Sequence, residues 1–320
     1  MAMSSRGEFG LIDFIKTHFS VPEGVAGIGD DCAVMPSGDG ELLFTTDLLM
    51  EGVHFLKNES SPEDVGWKAA AVNLSDIAAM GGVPVATFLS IALPKDAQGE
   101  WAERFISGYA ELSRRFDVPL LGGDTTSSLR DIAVNVGVLG RAPSGKSVRR
   151  SGALAGHCIY VTGPLGDSAG GLQAILKGVA RTCEVEELIR RHKRPVPRVN
   201  EGRRLLESGL LGAMMDISDG IASDLRHILK ASGVGAVVEL DKLPCSPELE
   251  TVCCEQGWDR FELATSGGED FELLLTAPEG LENEVDIPLY PIGKIIPGDD
   301  IRWTMNNEPV SKDFAGYRHF

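Results

Sequence analysis

Acidic residues that lie among small residues are the most informative feature of this 320-residue chain. Surface carboxylates normally sit among other polar residues, whereas these follow glycines or apolar runs, where an unpaired carboxylate is costly to desolvate. Hard divalent cations with oxygen ligands are the usual solution, and clustered Mg²⁺ sites commonly serve phosphate chemistry. The acids are Asp30, Asp31, Asp47, Asp76, Asp124, Asp216, Asp219 and Glu269.

Two of these acids have further oxygen groups close by in the sequence. Thr45 and Thr46 precede Asp47 at the end of an apolar run, so hydroxyls and a carboxylate make an oxygen-rich group suited to a hard cation. A helix N-cap or a turn is the alternative. Asn73 and Asp76 are three residues apart, which places both on one face of a predicted helix. Small and apolar neighbours favour a buried metal ligand at Asp76.

Glycines stand before two other acidic positions, in Gly27–Asp31 and in Gly122–Asp124. Glycine permits close backbone approach, so the amides of such a turn can contact phosphate oxygens while the acid binds a cation. A plain Gly-Asp turn or hairpin is the alternative at both positions. Asp216 and Asp219 are three residues apart at a helix start, where the helix dipole favours acids even without a ligand.

Three further features are candidates for ligand contacts on weaker grounds. His54 follows Asp47 by seven residues, although a lone histidine is more often structural. Arg149 and Arg150 could contact phosphate, with a solvated linker pair as the alternative. The glycine-rich segment Gly163–Gly171 resembles a nucleotide loop, but it matches neither the Walker A pattern nor Gly-x-Gly-x-x-Gly.

The elements that must position these residues alternate between strands and helices, which indicates a mixed α/β fold. The length favours two domains, and the linker-like segment 141–145 suggests a division into residues 1–145 and 146–320. Predicted helices lie at 9–18, 62–80, 98–116, 182–192, 198–208 and 219–232, with one more after the Gly163–Gly171 segment. Predicted strands lie at 42–46, 85–93, 131–140, 158–162, 235–240, 271–276 and 290–296, with another running into Gly122.

Composition and charge narrow the range of partners. The net charge of 30 − 47 = −17 argues against nucleic acid, but a bound metal would reverse the local sign and admit a phosphorylated small molecule. Six cysteines without a Cys-x-x-Cys pair indicate reduced thiols rather than a thiolate metal site. The N-terminus lacks an apolar signal core, and no apolar run approaches the ~20 residues of a bilayer span. We therefore expect a cytoplasmic protein with no membrane partner.

Six stretches, taken together and in order, resemble the thiamine-monophosphate kinases, of the superfamily of aminoimidazole ribonucleotide synthetase and selenophosphate synthetase. The stretches are Gly27–Ala33, Thr45–Phe55, Asn73–Pro84, Gly122–Thr126, Asp216–Gly220 and Ser266–Leu273. They span nearly the whole chain, and members of the superfamily transfer phosphate from ATP. The resemblance implies ATP-dependent conversion of thiamine monophosphate to thiamine diphosphate, with several Mg²⁺ ions.

The resemblance also implies roles for residues that match the motifs. The metal ligands would be Asp30, Thr45, Thr46, Asp47, Asp76, Asp124, Asp216 and Asp219. ATP would contact Gly123, Asp124, Arg150 and Ser218, and the thiamine end would contact His54, Glu269 and Tyr317. Asp31 and Asp270 would have supporting roles. Many relatives carry a tyrosine where this chain has Ile106, which affects an expected ring contact to the nucleotide.

The fold implied by the resemblance is a two-domain α/β structure with mixed sheets, like that of aminoimidazole ribonucleotide synthetase. The N-terminal sheet would pair with that of a second subunit into a dimer-spanning barrel, so the expected partners are ATP, thiamine monophosphate and a second copy of the chain.

The expected mechanism needs charge neutralisation more than proton transfer. The acceptor would be a phosphate monoester that is largely ionised at pH 7, so we assign no general base and no covalent catalytic residue, and expect direct in-line transfer. His54 is the one serious candidate for a phosphorylated intermediate.

The alternative functions are those of another ATP-dependent member of the superfamily and of a non-catalytic protein that binds thiamine phosphates or metal ions. Residues 1–26 lack the reactive cysteine near a lysine that the selenophosphate synthetases use.

Overall fold

The computed structural model describes residues 7–38, 40–142, 147–312 and 314–317, in which helices and strands alternate. The helices are α1 (Gly7–Lys16), α2 (Pro62–Ala79), α3 (Glu100–Arg115), α4 (Asp167–Lys177), α5 (Cys183–Lys193), α6 (Val199–Ser208), α7 (Ile221–Ser232), α8 (Pro247–Gln256) and α9 (Arg260–Ser266). The strands are β1 (Ala33–Ser37), β2 (Gly40–Met50), β3 (Val83–Leu93), β4 (Leu120–Ser127), β5 (Ala133–Ala142), β6 (Cys158–Val161), β7 (Ala213–Asp216), β8 (Gly235–Glu239), β9 (Leu273–Ala277), β10 (Tyr290–Ile296), β11 (Ile301–Met305) and β12 (Glu308–Pro309).

Two mixed sheets organise the described residues. The first has the order β1-β2-β5-β3-β4, in which β3 and β4 are parallel and the other pairs are antiparallel. The second has the order β12-β11-β8-β10-β6-β9-β7, in which only β11 and β8 are parallel. The first sheet is open within one chain, with β1 and β4 as its edges.

Helix α2 lies between the two halves of the molecule. It contacts β2 and β5 of the first sheet, and also α6 and β7 from the second half of the chain. Most of its residues are buried, including Ala69, Ala70 and Ala71, and a helix that is apolar on all sides is expected to be enclosed by protein. Side chains on α2 can therefore face both halves at once.

Glycines allow α2 to pack closely against its neighbours. A Cβ atom at Gly108 of α3 would lie 1.9 Å from the carbonyl oxygen of Glu63 on α2, and one at Gly202 of α6 would lie 2.2 Å from the carbonyl oxygen of Ala78. The Ser61 hydroxyl caps the helix by accepting from the Asp64 amide, and Pro62 follows at the first turn. These contacts fix α2 in position and orientation.

The structure confirms the mixed α/β architecture and the predicted helices and strands. The sequence analysis missed β1, α8, α9, β11 and β12, and it ended the strand at Gly122, whereas β4 continues to Ser127. The dimer-spanning barrel is not present in one chain, and the division at residue 145 stays a prediction, because residues 143–146 lie outside the described part. Among the described helices, none combines the length and the apolar composition that crossing a bilayer requires.

Candidate active site

Strand β2 and helix α2 bring the first pair of predicted ligands together. The Thr45 hydroxyl donates a hydrogen bond to Asp76 Oδ2, and the Asn73 side-chain oxygen accepts from the Asp47 amide at 3.0 Å. Asn73 and Asp76 therefore share the helix face that packs on β2, as their spacing predicts. Thr45 and Asp47 are two residues apart on a strand, so they point to that same face.

The segment before β1 and the end of β7 complete an acidic cluster. One carboxylate oxygen each from Asp31, Asp76 and Asp216 lies within 4.8 Å of the others. The Ser75 hydroxyl donates to Asp216 Oδ2 at 2.6 Å, and the Arg150 guanidinium donates to Asp31 Oδ1 at 2.6 Å. Asp31 Oδ2 is buried without a hydrogen-bond partner among the described atoms. A buried carboxylate oxygen without a donor is the expected sign of a missing cation.

Arg150 links the cluster to the segment before β1. Its backbone amide donates to Asp30 Oδ1 at 3.0 Å, while its side chain pairs with Asp31. Burial alone would lower the pKa of Arg150, but the negative charge of Asp31 outweighs it, so the group stays a cation. Its Nε is buried without a partner in the described part of the chain, which leaves one donor for an anion.

Burial and mutual repulsion raise the pKa values of the carboxylates in and beside the cluster. Burial raises the pKa of Asp47 to about 6 and that of Asp216 to about 7, and the negative charge of Asp31 adds to both shifts. Burial also raises the pKa of Asp76 well above its usual value, with the charges of Asp47 and Asp216 adding to it. Carboxylates that must be ionised at neutral pH therefore need a cation among them.

The donor atoms fit a hard cation such as Mg²⁺. They are carboxylate and hydroxyl oxygens, and the single thiol close by, that of Cys32, donates to the Asp76 carbonyl oxygen at 3.5 Å. Oxygen-only sets select Mg²⁺ or Ca²⁺ over the softer transition metals.

A second loop carries Ser218 and Asp219 beside the cluster. Their backbone amides donate to the carboxylate of Asp224 at 3.1 and 3.2 Å, and Asp224 is only 1% exposed. The Ser218 carbonyl accepts from the Glu269 amide at 2.8 Å, and the Asp219 carbonyl accepts from the Tyr317 amide at 3.0 Å. Four predicted site residues are thus connected through the backbone of one loop.

A cavity of about 660 Å³ lies against these groups. Its wall also contains apolar side chains, among them Leu49, Val72, Leu172 and Phe271. The site residues predicted from sequence that line it are Asp47, His54, Asp76, Asp216, Ser218, Asp219, Glu269 and Tyr317. The cavity therefore combines an acidic region with an apolar region, as a ligand with a phosphate and an organic ring would require.

Glu269 lines this cavity and contacts two polar side chains. Its Oε2 is 2.8 Å from Lys68 Nζ of α2 and 3.4 Å from His192 Nδ1 of α5. Burial lowers the pKa of His192 well below its usual value, and Lys68 and Lys193 add to that shift, so His192 is neutral and its contact is not an ion pair. Lys68 also donates to the carbonyl oxygen of His54 at 3.2 Å.

Gly123 and Asp124 lie elsewhere in the single chain. Residues paired across the first sheet run from Asp47 through Val136 and Leu89 to Gly123, which is three strand spacings, or roughly 14 Å. Asp124 is exposed on β4, and its side chain accepts from the Thr125 amide at 2.9 Å. Both residues line a separate cavity of about 360 Å³, which is otherwise mostly apolar and includes Ile106.

Two other candidate ligand contacts, and Asp270, which we expected to have a supporting role, have partners within the chain. Thr46 points to the opposite face of β2 from Thr45, where its hydroxyl accepts from Asn135 at 2.8 Å. Arg149 pairs with Glu41 at 3.4 Å. The carboxylate of Asp270 accepts from the amides of Gly166 and Ser168, at 2.7 and 3.1 Å, so the glycine-rich loop already holds an anion from its own chain.

Sequence reasoning missed several residues of the site. Asp31 belongs to the acidic cluster rather than to a supporting layer, and its position next to Asp30 was the available signal. Lys68 was also detectable, as a lysine on a helix whose other residues are mostly small or apolar. Asp224 and His192 gave no signal, because each lies on a helix with ordinary amphipathic spacing and gains its role only through tertiary contacts.

Comparisons with known proteins agree over nearly the full length of the chain. Residues 29–142 match the family AIR synthase related protein, N-terminal domain, and residues 155–305 match AIR synthase related protein, C-terminal domain. The chain is 40% identical to thiamine-monophosphate kinase from Escherichia coli K12 over 329 aligned residues, which is 98% of each chain. It is 37% identical to thiamine-monophosphate kinase from Aquifex aeolicus, with 100% of both chains covered.

The fold is likewise similar to solved structures. A structure described as AaThiL complexed with AMPPCP and TMP superposes with a TM-score of 0.89 at 35% identity, covering 100% of this chain and 99% of the other.

Proposed function

Since this chain belongs to the thiamine-monophosphate kinase family, we propose that it transfers a phosphoryl group from ATP to thiamine monophosphate and forms thiamine diphosphate. The observation that carries the proposal is the acidic cluster on the wall of a cavity that is also apolar. Such a cavity suits a substrate with a phosphate at one end and an organic ring system at the other.

We assign the cation to the oxygens of the cluster. Asp31, Asp76 and Asp216 would hold Mg²⁺, with Asp47, whose charge acts on Asp76, as an additional ligand. Asp30, Thr45, Thr46 and Asp219 stay expected ligands. When bound, Mg²⁺ supplies the positive charge that lets two phosphate groups approach each other. The number of ions stays a prediction.

The chain's own residues support direct transfer. His54 Nδ1 accepts a hydrogen bond from the Met50 amide at 3.0 Å, so the neutral ring carries its proton on Nε2. That nitrogen is then a donor rather than a nucleophile, which argues against a phosphorylated histidine. Arg150, whose buried Nε has no partner among the described atoms, stays an expected ATP contact. Ser218 lies on the same cavity and stays an expected ATP contact.

The assay that tests this function measures ADP release from ATP with thiamine monophosphate and Mg²⁺. Formation of thiamine diphosphate, identified by mass spectrometry, is the expected result. Turnover with another phosphorylated acceptor but not with thiamine monophosphate would indicate a different enzyme of the superfamily. Binding of thiamine monophosphate without ADP release would indicate a non-catalytic protein. We expect the activity in the cytoplasm, where ATP is available.

A homodimer would explain why Gly123 and Asp124 lie apart from the cluster. Every residue of edge strand β4 is exposed, including Leu121 at 65%, and Phe88 on the adjacent strand β3 and Phe44 on β2 are each 40% exposed. An edge strand and an apolar sheet surface of this kind are typical of an interface. We infer that the first sheet pairs with that of a second copy to form a barrel, and that Asp124 then serves the second copy's cluster.

Subunit mixing tests this arrangement. Dimers of Asp124→Asn and of Asp216→Asn should each be inactive. After dissociation and random reassociation, half of the dimers contain one of each chain and one intact site, so about a quarter of wild-type activity should return. A mixture that stays inactive while mixed dimers form would show that Asp124 does not act across the interface.

A further inference from the structure

We propose that Lys68 is a positioning residue for the organic end of the acceptor, because it holds Glu269 and the His54 segment in place on the cavity wall. The inference rests on the proposed function and extends it to a residue that does not line the cavity itself. Lys68 is on α2, in the first half of the chain, whereas Glu269 follows α9 in the second half.

One buried ammonium group reaches both segments. Lys68 is only 3% exposed, and its Nζ lies 2.8 Å from Glu269 Oε2 and 3.2 Å from the carbonyl oxygen of His54. A buried cation needs both a counter-charge and hydrogen-bond acceptors, and here each acceptor belongs to a segment that carries an expected substrate contact. The same interaction therefore fixes the distance between the two segments.

The Glu269 segment needs an external anchor. Glu269 and Phe271 both have left-handed backbone conformations, with φ of 65° and 51°, which residues with a side chain rarely adopt. Backbone strain of this kind persists only where surrounding contacts impose it. The Glu269 amide donates to Ser218, and the ion pair with Lys68 holds the side chain of the same residue.

The direction of the Glu269 carboxylate follows from these contacts. Lys68 and neutral His192 both approach Oε2, and His192 is itself 3.0 Å from the Ser168 hydroxyl. The Glu269 side chain keeps 27% of its surface exposed where it lines the cavity. With Oε2 held by the protein, the other oxygen is presented to the ligand as a fixed acceptor. It suits an N–H donor or a cationic ring and would repel a phosphate, so it selects the organic end of the acceptor.

Losing this anchor should weaken binding of one substrate and leave the other unaffected. Lys68→Met should raise the KM for thiamine monophosphate by about 10-fold or more, the size expected when a hydrogen bond to a charged group is lost. The KM for ATP should stay within about twofold, because Lys68 contacts neither Arg150 nor the acidic cluster. Lys68→Arg, which keeps the charge, should recover part of the loss.

A matched control comes from another ion pair of helix α2. Arg194, just after α5, pairs with Asp64 of α2 at 2.8 Å, but neither residue lines the cavity. Arg194→Met removes a cation between these two elements and should leave both KM values unchanged. If it raises the KM for thiamine monophosphate as much as Lys68→Met does, the effect comes from general loosening of the helices and the inference fails.

A second variant and the activity of the wild-type protein allow every outcome to support or contradict the inference. If Lys68→Met does not fold, the double variant Lys68→Met/Glu269→Gln, which leaves no buried unpaired charge, replaces it. The double variant should show the same selective rise in the KM for thiamine monophosphate, and a normal KM would overturn the inference. Failure of the proposed function looks different, because the wild-type protein would then release no ADP with thiamine monophosphate.

Discussion

Two groups of buried acidic side chains lie near the site, and they differ in the groups that contact them. In the acidic cluster, Asp31, Asp76 and Asp216 each bring one carboxylate oxygen within 4.8 Å of the others, and Asp31 Oδ2 has no donor among the described residues. Close by, Glu272 accepts a hydrogen bond from Thr162 and pairs with Arg198 through both of its oxygens. The first group keeps a carboxylate oxygen without a donor in the described part of the chain, whereas hydrogen bonds within the chain satisfy the second.

A pKa shift alone does not separate the two kinds of acid. Burial raises the pKa of Asp76 well above its usual value, and it does the same for Asp270, although two backbone amides donate to Asp270. Nearby carboxylates raise both pKa values and hydrogen-bond donors oppose both shifts; the difference is that Asp76 accepts from the Thr45 hydroxyl, whereas Asp270 accepts from two backbone amides. Donor geometry, rather than the shift, therefore identifies the acids that are available for a ligand.

Removing one carboxylate charge from the acidic cluster tests the contrast between the two groups. It is the change for which we expect the largest effect. Asp216→Asn should reduce kcat by at least about 100-fold, because the proposed cation loses one of its ligands. The reaction then lacks the positive charge that it needs at this position. In the presence of EDTA the same variant should be more stable than the wild type, by about 1–2 kcal/mol, since repulsion among the carboxylates is relieved. Steady-state kinetics and chemical denaturation measure the two effects.

Arg198→Met is the matched variant for the second group, in which Glu272 is hydrogen-bonded within the chain. It leaves Glu272 with Thr162 alone and should cost about 2 kcal/mol of stability, less than the ~3–5 kcal/mol of fully enclosed pairs because Arg198 is partly exposed. Its kcat should change little. If Asp216→Asn destabilises the metal-free protein as Arg198→Met does, the acids of the cluster are structural and the contrast between the two groups is wrong.

The sequence located most of the cluster because its acids follow strands or glycines in short motifs. Asp47, Asp76 and Asp216 were all predicted as ligands, and the structure brings them together through β2, α2 and β7. The elements were also predictable, since α2 has a clear cap and consists mostly of small and apolar residues. Local pattern and capping chemistry are sufficient for such elements.

The other features of the site could not be predicted, because they depend on side-chain direction and on contacts between residues that are far apart in the sequence. Thr45 and Thr46 are adjacent and identical in type, yet the alternation of a strand sends only Thr45 toward α2. Asp31 and Asp270 looked like equivalent second acids in their motifs, but one lacks a donor and the other accepts two backbone amides. Lys68 meets Glu269 across 201 residues of sequence, a contact that no periodicity encodes.

The dependence of stability on pH offers the finest test of the contrast. The folded metal-free protein holds Asp47 with a pKa of about 6 and Asp216 with a pKa of about 7, above the ~4 of an unfolded chain. The folded state therefore binds more protons than the unfolded state between these values. Since stability then falls as pH rises, metal-free protein should lose about 1–2 kcal/mol between pH 6 and pH 8.

Saturating Mg²⁺ should remove most of that slope, because a cation that binds only the folded state favours ionised carboxylates and offsets their repulsion. Asp216→Asn should reduce the slope in EDTA, whereas Arg198→Met should leave it as steep as in the wild type, since Arg198 is not part of the cluster. Chemical denaturation at a series of pH values, with EDTA or Mg²⁺, measures all of these slopes. A wild-type protein whose metal-free stability is constant or rises between pH 6 and pH 8 would show that its clustered acids are already satisfied within the chain, as Glu272 is.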